Sequence, residues 1–504
     1  MATYSRPGVY VQETLNPVQP IVGPSSTSVA AFVGANDRGP TTPTLVSSWS
    51  QYINLFGSWN TTQSNSLPLA LYMYFSNGGT QAYVNRVPGA TSVAATRSFN
   101  DTAGSPQPTL KLTAANVGAW GNNINVSITA SPIVGYFNVV VYYNGSSAGN
   151  IVEQWTDMSM TASDPRYAIN VINNNSIYLV AVDLASSSTG ATRNPATVSN
   201  AALSTGSDGS AVTSSNIISA LSGFDTIRQS LILNIPGYTD ATTVNGAISY
   251  ATGSTRVNDV FVVVDGINDT AANQLTLAAS YTATSYAAVY YPQITIADPT
   301  VSVGSPSNST KTIGAGAAVV GIYAATDASR GVFKSPAGIQ ARIAGAVSVP
   351  ALSTADLDSL NSAAAPVNAI RYISGSGIVV YGARTLKQTY VDRYISVRRT
   401  LIYLEKALRD LTQFAVFEPN DQRLWNRINA TVSTFLTNFW SQGGLTGGSP
   451  SAAYFVKCDS ENNPQSSIDN GYVNIQVGVA LQRPAEFVVI NIGQYSGGTT
   501  VTVA

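Results

Sequence analysis

The sequence predicts a multidomain protein of mixed α/β and α+β class. Its parts are an α/β core with a mostly parallel sheet, an inserted all-β domain and a C-terminal α+β module. Three observations carry that prediction. Residues 211–385 alternate apolar runs with helix-like stretches, the rhythm of β-α-β units joined by right-handed crossovers. Residues 89–210 turn rich in Ser, Thr, Asn, Gly and Val and hold only ten charged residues in 122. Residues 386–440 carry eight Lys/Arg and five Asp/Glu, in a chain that is only 10% charged overall.

Residues 1–25 read as an arm. Val9 and Val11 alternate with Tyr10 and Gln12 like a short strand, and Pro17, Pro20 and Pro24 keep the following chain extended. No hairpin partner lies within reach in sequence. The strand must find its hydrogen bonds elsewhere, in the chain's own C-terminal sheet or on the sheet of a neighbour.

Residues 26–88 predict strand, turn, helix, helix, strand, with strands at Ser28–Val33 and Gln81–Val87 and helices over Ser48–Phe56 and Leu67–Phe75. The insertion 89–210 predicts strands at Thr109–Thr113, Ile124–Ala130, Phe137–Tyr143 and Ile177–Val182, separated by tight turns such as Asn144-Gly145. Then come strand Leu231–Ile235, helix Asp240–Thr252, the apolar strand Val260–Asp265, helix Thr270–Ala283 and strand Ala287–Ile296. Residues 298–345 are Gly-, Ala- and Ser-rich and read as loop. These strands and those of 26–88 form the middle domain, 26–88 plus 211–385.

The last part, 386–504, changes again. Leu386, Tyr390, Tyr394, Val397, Leu401, Leu404, Leu408 and Leu411 recur at steps of three and four, one apolar stripe along a helix. The opposite face carries Arg393, Arg398, Arg399, Glu405, Lys406, Arg409 and Asp410. Asn420 is placed to cap a second helix with apolar positions Trp425, Ile428, Val432, Phe435, Leu436 and Phe439, ended by Gly443-Gly444. Strands follow at Ala453–Cys458, Tyr472–Ala480 and Glu486–Ile492. The middle one alternates Val473, Ile475, Val477 and Val479 with polar residues and glycine.

Composition narrows function. With a net charge of −1 there is no basic field for nucleic acid or an anionic membrane. No run approaches the 18 or so apolar residues of a membrane span, and the polar Met1–Tyr10 start is followed by no apolar segment, so export by a leader is not expected. The one cysteine, Cys458, excludes an internal disulfide and reads as a small core residue. There is no histidine, which removes Ser-His-Asp and Cys-His nucleophiles and His-ligated zinc.

No motif supplies a replacement chemistry. Gly145-Ser146-Ser147-Ala148-Gly149 matches G-x-S-x-G but lies between two strands, so it reads as a hairpin turn. Gly314-Ala315-Gly316 lacks the third glycine of a dinucleotide fingerprint. Asp356 and Asp358 fall at a helix start, where capping explains them. The chain is expected to be no enzyme and to need no cofactor or metal.

Several stretches, taken in order, resemble the contractile tail sheath proteins of myovirus-type phages, R-type pyocins and type VI secretion sheaths. They are Arg6-Pro7-Gly8-Val9-Tyr10-Val11-Gln12-Glu13, Phe56-Gly57, Tyr74–Gly79 with Ala82–Val87, Gly321–Asp327 with Lys334–Gly338, Gly382–Leu386, Phe417-Glu418-Pro419-Asn420 and Gly471–Ile492. Tyr381 stands where the family commonly has Trp.

The resemblance implies a structural subunit that stacks as hexameric rings in a helical sheath around a tail tube and contracts by rearrangement of its subunits. It implies a C-terminal module completed by strands from neighbours: the arm Gly8, Val9, Tyr10, Val11, Gln12 and Glu13 from one, and Phe487, Val488, Val489, Ile490, Asn491 and Ile492 from another. It also implies that the helix bearing Arg393, Arg398, Arg399, Glu405, Lys406 and Arg409 faces the tube. The partners would be further copies of the chain, the tail tube protein, baseplate and tail terminator proteins, with no nucleic acid and no direct membrane insertion. The setting would be the virion tail, assembled in the host cytoplasm. The Ser/Thr/Asn-rich insertion alone would also suit a carbohydrate-binding or surface-layer protein.

Overall fold

A computed structural model describes residues 27–60, 63–256, 258–301, 309–389, 391 and 393–486. The arm residues Gly8–Glu13 and the terminal stretch Phe487–Ile492 lie outside them. The core is an eight-stranded sheet whose order, by residue range, is 377–380, 367–373, 287–291, 260–265, 231–234, 29–34, 82–86 and 44–46. The six inner strands run parallel. The edge strands Gly377–Val380 and Thr44–Val46 are antiparallel to their neighbours.

Strand alternation builds two cores. In Val260–Asp265, Phe261 and Val263 face one layer of helices, while Val260, Val262 and Val264 face the other. The first layer holds helices Trp49–Phe56, Ser66–Ser76 and Gly316–Arg330. The second holds Ser214–Ala220, Ala241–Thr252 and Ala271–Ala279, capped by the side chains of Thr213, Asp240 and Thr270, and Thr354–Ser362 with a Ser353–Asp356 capping box. That box accounts for Asp356, as the spacing implied. The four central strands, over 29–34, 231–234, 260–265 and 287–291, are buried on both faces and read in sequence as the nearly continuous apolar runs such a position demands.

The structure corrects the reading of 298–345 as loop. Gly316–Arg330 is a helix in the middle of the molecule, with Gly316 through Ala324 all buried. Its residues GAAVVGIYAA are small or apolar on every side, so no 3.6-residue period marks it. It packs against both the sheet and the Ser66–Ser76 helix. Gly321 permits that contact, because a Cβ there would lie 2.6 Å from the Tyr74 carbonyl oxygen. No side chain of its own caps the helix. Instead the Asp265 carboxylate, at the end of a central strand, accepts the Gly316 N–H at 2.6 Å.

Asp265 is 4% exposed and forms no ion pair among the described residues. Burial pushes its carboxyl up from 3.8 to about 6, against the opposing hydrogen bonds from Gly316 and Gly237. The folded state therefore holds a proton that the unfolded chain releases near pH 4. The stabilisation is fully present below about pH 4 and is lost as pH rises through about 6, a change of about 3 kcal/mol at most. Urea midpoints taken between pH 4 and 7 should show this fall in the native protein and a flatter profile in Asp265→Asn. Equal slopes for the two would refute it.

Other elements shift locally. The predicted strand Ala287–Ile296 is two strands, Ala287–Tyr291 and Ile294–Ala297, broken at Pro292, which has no N–H to donate. The helix predicted over Thr270–Ala283 stops at Ala279. The insertion is a two-sheet sandwich around one core, with strands over 96–100, 108–114 and 179–183 in one sheet and 198–202, 124–130, 137–143 and 151–158 in the other. It is not purely β: Ala168–Asn175 is a helix on its edge, held by Ala168 and Ile172. Gly145–Gly149 lies in the turn between strands Phe137–Tyr143 and Ile151–Met158, as expected.

In the C-terminal module the first helix starts at Ile395, not Leu386, and runs to Leu411. Leu386 is fully buried against the body, its N–H bonded to the Ala287 carbonyl, so it belongs to the middle core rather than to the helix stripe. The second helix is Gln422–Ser441. Asp421, not Asn420, caps it, its carboxylate accepting the Arg423 and Leu424 N–H groups. Asn420 is engaged by the Trp425 indole at 2.8 Å. The predicted strands shorten to a hairpin, Tyr454–Lys457 against Gln476–Val479, lying on the two helices.

Candidate assembly site

The features expected to act lie in the C-terminal module and at its joints with the body. The hairpin is the simplest. Tyr454–Lys457 pairs with Gln476–Val479 in a two-stranded sheet, and neither has a second strand partner among the described residues. Its inner face, with Tyr454, Val456, Val477 and Val479, packs on Ile428, Val432 and Leu436. Phe455, on the other face, is 53% exposed and lies across Gly478, where a Cβ would meet its ring at 2.1 Å. A two-stranded sheet is marginal alone, and its outer edges present rows of backbone donors and acceptors.

An Arg–carboxylate fork sits at each end of the described chain, at Thr27 and at Glu486. At the N-terminal root, Thr27 donates its hydroxyl to Asp327 Oδ2 at 2.7 Å. Arg399 reaches Asp327 at 2.9 and 2.5 Å and the Thr27 carbonyl at 3.0 Å. Both side chains of this ion pair are 3% exposed. The Arg399 guanidinium also lies 4.6 Å from the Tyr323 ring centre, and the Tyr323 and Tyr290 hydroxyls meet at 2.6 Å. Burial pulls the Arg399 pKa down, but the charge and hydrogen bonds of Asp327 more than offset it and hold it above its ordinary value. At the C-terminal root, Arg384 grips Glu486 with Nε–Oε1 at 2.9 Å and Nη2–Oε2 at 2.5 Å. The hydrogen bond to Glu486 raises the Arg384 pKa.

Arg399 is therefore a correction to the sequence reading, which placed it on an exposed helix face. It is 4% exposed and forms the joint between module and body. The other predicted residues of that face separate. Arg393 is half-buried and donates to the Gln388 carbonyl at 3.2 Å. Arg398 donates to the Tyr286 hydroxyl at 3.2 Å and stacks 4.5 Å from that ring. Lys406 is half-buried beside Asp410 at 3.3 Å. Glu405 and Arg409 remain exposed. A helical stripe argument assigns faces relative to one partner, and this helix packs on two: its own module and the sheet layer that takes Ile395 and Ile402.

Sequence reasoning missed the roles of Thr27, Asp327, Arg384 and Glu486. The last three fall in stretches that had been singled out, but pairings across 72 and 102 residues leave no spacing signal. It also missed how the insertion is fixed. Arg38, from the body and 6% exposed, sits among Tyr178, Tyr143 and Trp120 of the insertion, 4.5, 5.6 and 5.7 Å from their ring centres. That cation–π cage ties the sandwich to the core sheet.

Residues 391–494 match the family model of the phage tail sheath C-terminal domain. The chain is also 30% identical, over 177 residues, to the tail sheath protein of Vibrio phage KVP40, covering 34% of this chain and 25% of that protein. Part of the chain is thus similar to contractile tail sheath proteins. The aligned stretch spans a quarter of the curated relative's length. Most of the chain superposes on solved folds. The sheath of the extracellular contractile injection system PVC in its contracted state matches with a TM-score of 0.58 at 23% identity, covering 98% of this chain and 99% of that one. The helical sheath of the anti-feeding prophage in its contracted state gives 0.59 at 23%, covering 98% and 100%. A sheath tail protein from Listeria innocua gives 0.60 at 14%, covering 86% and 89%.

Proposed function

We propose that this chain is a structural subunit, not an enzyme, which polymerises as stacked hexameric rings around a tail tube in a virion tail and contracts by rearrangement of its subunits. The observation that carries the reading is the two-stranded sheet that has no further strand partner among the described residues, with an Arg–carboxylate fork at each end of the described chain. Strands from neighbouring copies, Gly8–Glu13 from one and Phe487–Ile492 from another, would complete that sheet by β-augmentation. The anchors at Thr27 and Glu486 would hold each exchanged segment at its root, so that bodies can swing while the backbone ladders stay intact.

Contraction in this scheme needs no nucleotide. The extended array is a kinetic trap held by the baseplate and by tube contacts, released ring by ring. Exposed Glu405 and Arg409 would contribute to the tube-facing surface. Exposed ion pairs are individually worth about 0–1 kcal/mol, which permits such contacts to let go. Tail terminator proteins would close the far end.

Deleting residues 1–15 tests the reading. The full chain should form hollow cylinders visible by negative-stain electron microscopy. The shortened chain should give soluble particles without long cylinders. Full-length, contractile cylinders from the deletion variant would rule the strand exchange out.

A further inference from the structure

The turn that carries Gly145-Ser146-Ser147-Ala148-Gly149 begins with an Asn-Gly step, and the fold leaves that step chemically open. Asn144 and Gly145 follow strand Phe137–Tyr143, and the chain returns at Ile151 to begin the next strand. Asn144 is exposed at φ = +58°, and Gly145 sits at φ = +140°. Asn tolerates the left-handed region, and glycine adopts such angles without strain. Among the described residues the Asn144 carboxamide has no hydrogen-bond partner and the Gly145 N–H has no acceptor. The loop's own bonds fall elsewhere. Asn150 donates its side-chain amide to the Asn144 carbonyl at 3.4 Å and to the Ser147 hydroxyl at 3.1 Å.

The chain has three other Asn-Gly steps, at Asn77, Asn245 and Asn470, and the structure restrains each of them. Asn77 is 8% exposed, donates to the Met73 carbonyl at 2.8 Å and accepts the Ala344 N–H at 2.7 Å. Asn245 lies inside helix Ala241–Thr252, where its side chain accepts the Thr282 N–H at 2.7 Å and donates to the Ser280 carbonyl at 3.1 Å. Asn470 donates to the Ser466 carbonyl at 2.7 Å, and the Gly471 N–H is held by the Ile468 carbonyl at 2.9 Å.

We propose that Asn144 is a site of spontaneous deamidation, with water and hydroxide as the only reagents. Hydroxide removes the Gly145 amide proton, and the nitrogen attacks Asn144 Cγ. A C–N bond forms, and the side-chain nitrogen takes a proton from water and leaves as ammonia. The five-membered succinimide then adds water at one of its two carbonyls. Breaking the Cγ–N bond gives aspartate. Breaking the bond from the main-chain carbonyl carbon to nitrogen gives isoaspartate, whose backbone is one CH₂ longer. Either product adds a negative charge to a chain of formal net charge −1 and places it next to Tyr143, one ring of the Arg38 cage. Loss of ammonia is irreversible in dilute solution, so the new carboxylate accumulates with the age of each copy. The inference does not depend on the assembly reading.

The test holds the native full-length chain in mildly alkaline heavy-oxygen water and follows all four Asn-Gly steps by peptide mapping and mass spectrometry. Asn144 should convert roughly tenfold or more faster than Asn77, Asn245 or Asn470, because those three react only after local opening. In the urea-unfolded chain the four rates should converge. An acidic band should grow on isoelectric focusing at the Asn144 rate, and it should be missing from Asn144→Gln, whose longer side chain closes a six-membered ring far more slowly. Conversion of Asn144 no faster than that of any other step in the native chain overturns the proposal. So does the same ranking in the unfolded chain, which would assign the difference to local sequence and not to the fold.

Discussion

Asp327→Ala is expected to loosen the joint between the C-terminal module and the body more than any other single substitution in this chain. It strands the Arg399 guanidinium, 3% exposed, without its carboxylate and removes the acceptor of the Thr27 hydroxyl. Breaking one half of a buried ion pair costs about 3–5 kcal/mol, because the remaining charge stays desolvated. Amide exchange in helix Ile395–Leu411 should accelerate by roughly two orders of magnitude or more, with smaller changes in the insertion. Replacing both partners, Arg399→Met with Asp327→Leu, should recover most of the loss, since no charge is then left buried. Wild-type exchange rates in Asp327→Ala would show that the pair does not hold the joint. On the proposed assembly the same variant should also weaken cylinders, because Asp327 holds Thr27, the residue that directly follows 1–26.

Gly321→Val should be the most damaging substitution in the body. The added Cβ would approach the Tyr74 carbonyl oxygen at 2.6 Å and the Asn77 Cβ at 3.0 Å. The carbonyl belongs to the backbone of the neighbouring helix and cannot rotate away as a flexible side chain could. Overpacking a tight core costs about 1–3 kcal/mol, occasionally more, and the two γ-methyls of valine enlarge the clash at a buried helix crossing. Gly321→Ala should lower the melting temperature measurably, and Gly321→Val should leave little soluble protein. A valine variant that melts like the native chain would show that the two helices can separate freely.

Much of this protein is determined locally, and the sequence by itself reveals that part. The inner strands at Leu231–Asn234 and Val260–Asp265 are apolar because both faces are covered. Helix starts at Ser48, Asp240 and Thr270 are marked by side chains that accept backbone N–H groups three residues on. The absence of histidine restricts the chemistry from composition alone, and the order of short stretches from Arg6 to Glu486 points to the sheath family.

What only the tertiary structure decided are the places where one element meets two others. Gly316–Arg330 is legible as a helix only once it is sandwiched, since burial on all sides erases the periodicity that would mark it. Arg399 looks like surface until the body closes over it and Asp327 arrives from 72 residues away. Arg38 finds its aromatic cage in an insertion that begins fifty residues later, and Arg384 finds Glu486 across 102. Local sequence fixes hydrogen bonding and periodicity within a segment. Long-range pairing depends on how segments stack, because desolvation is set by the combined cover of several elements, and no single segment records it.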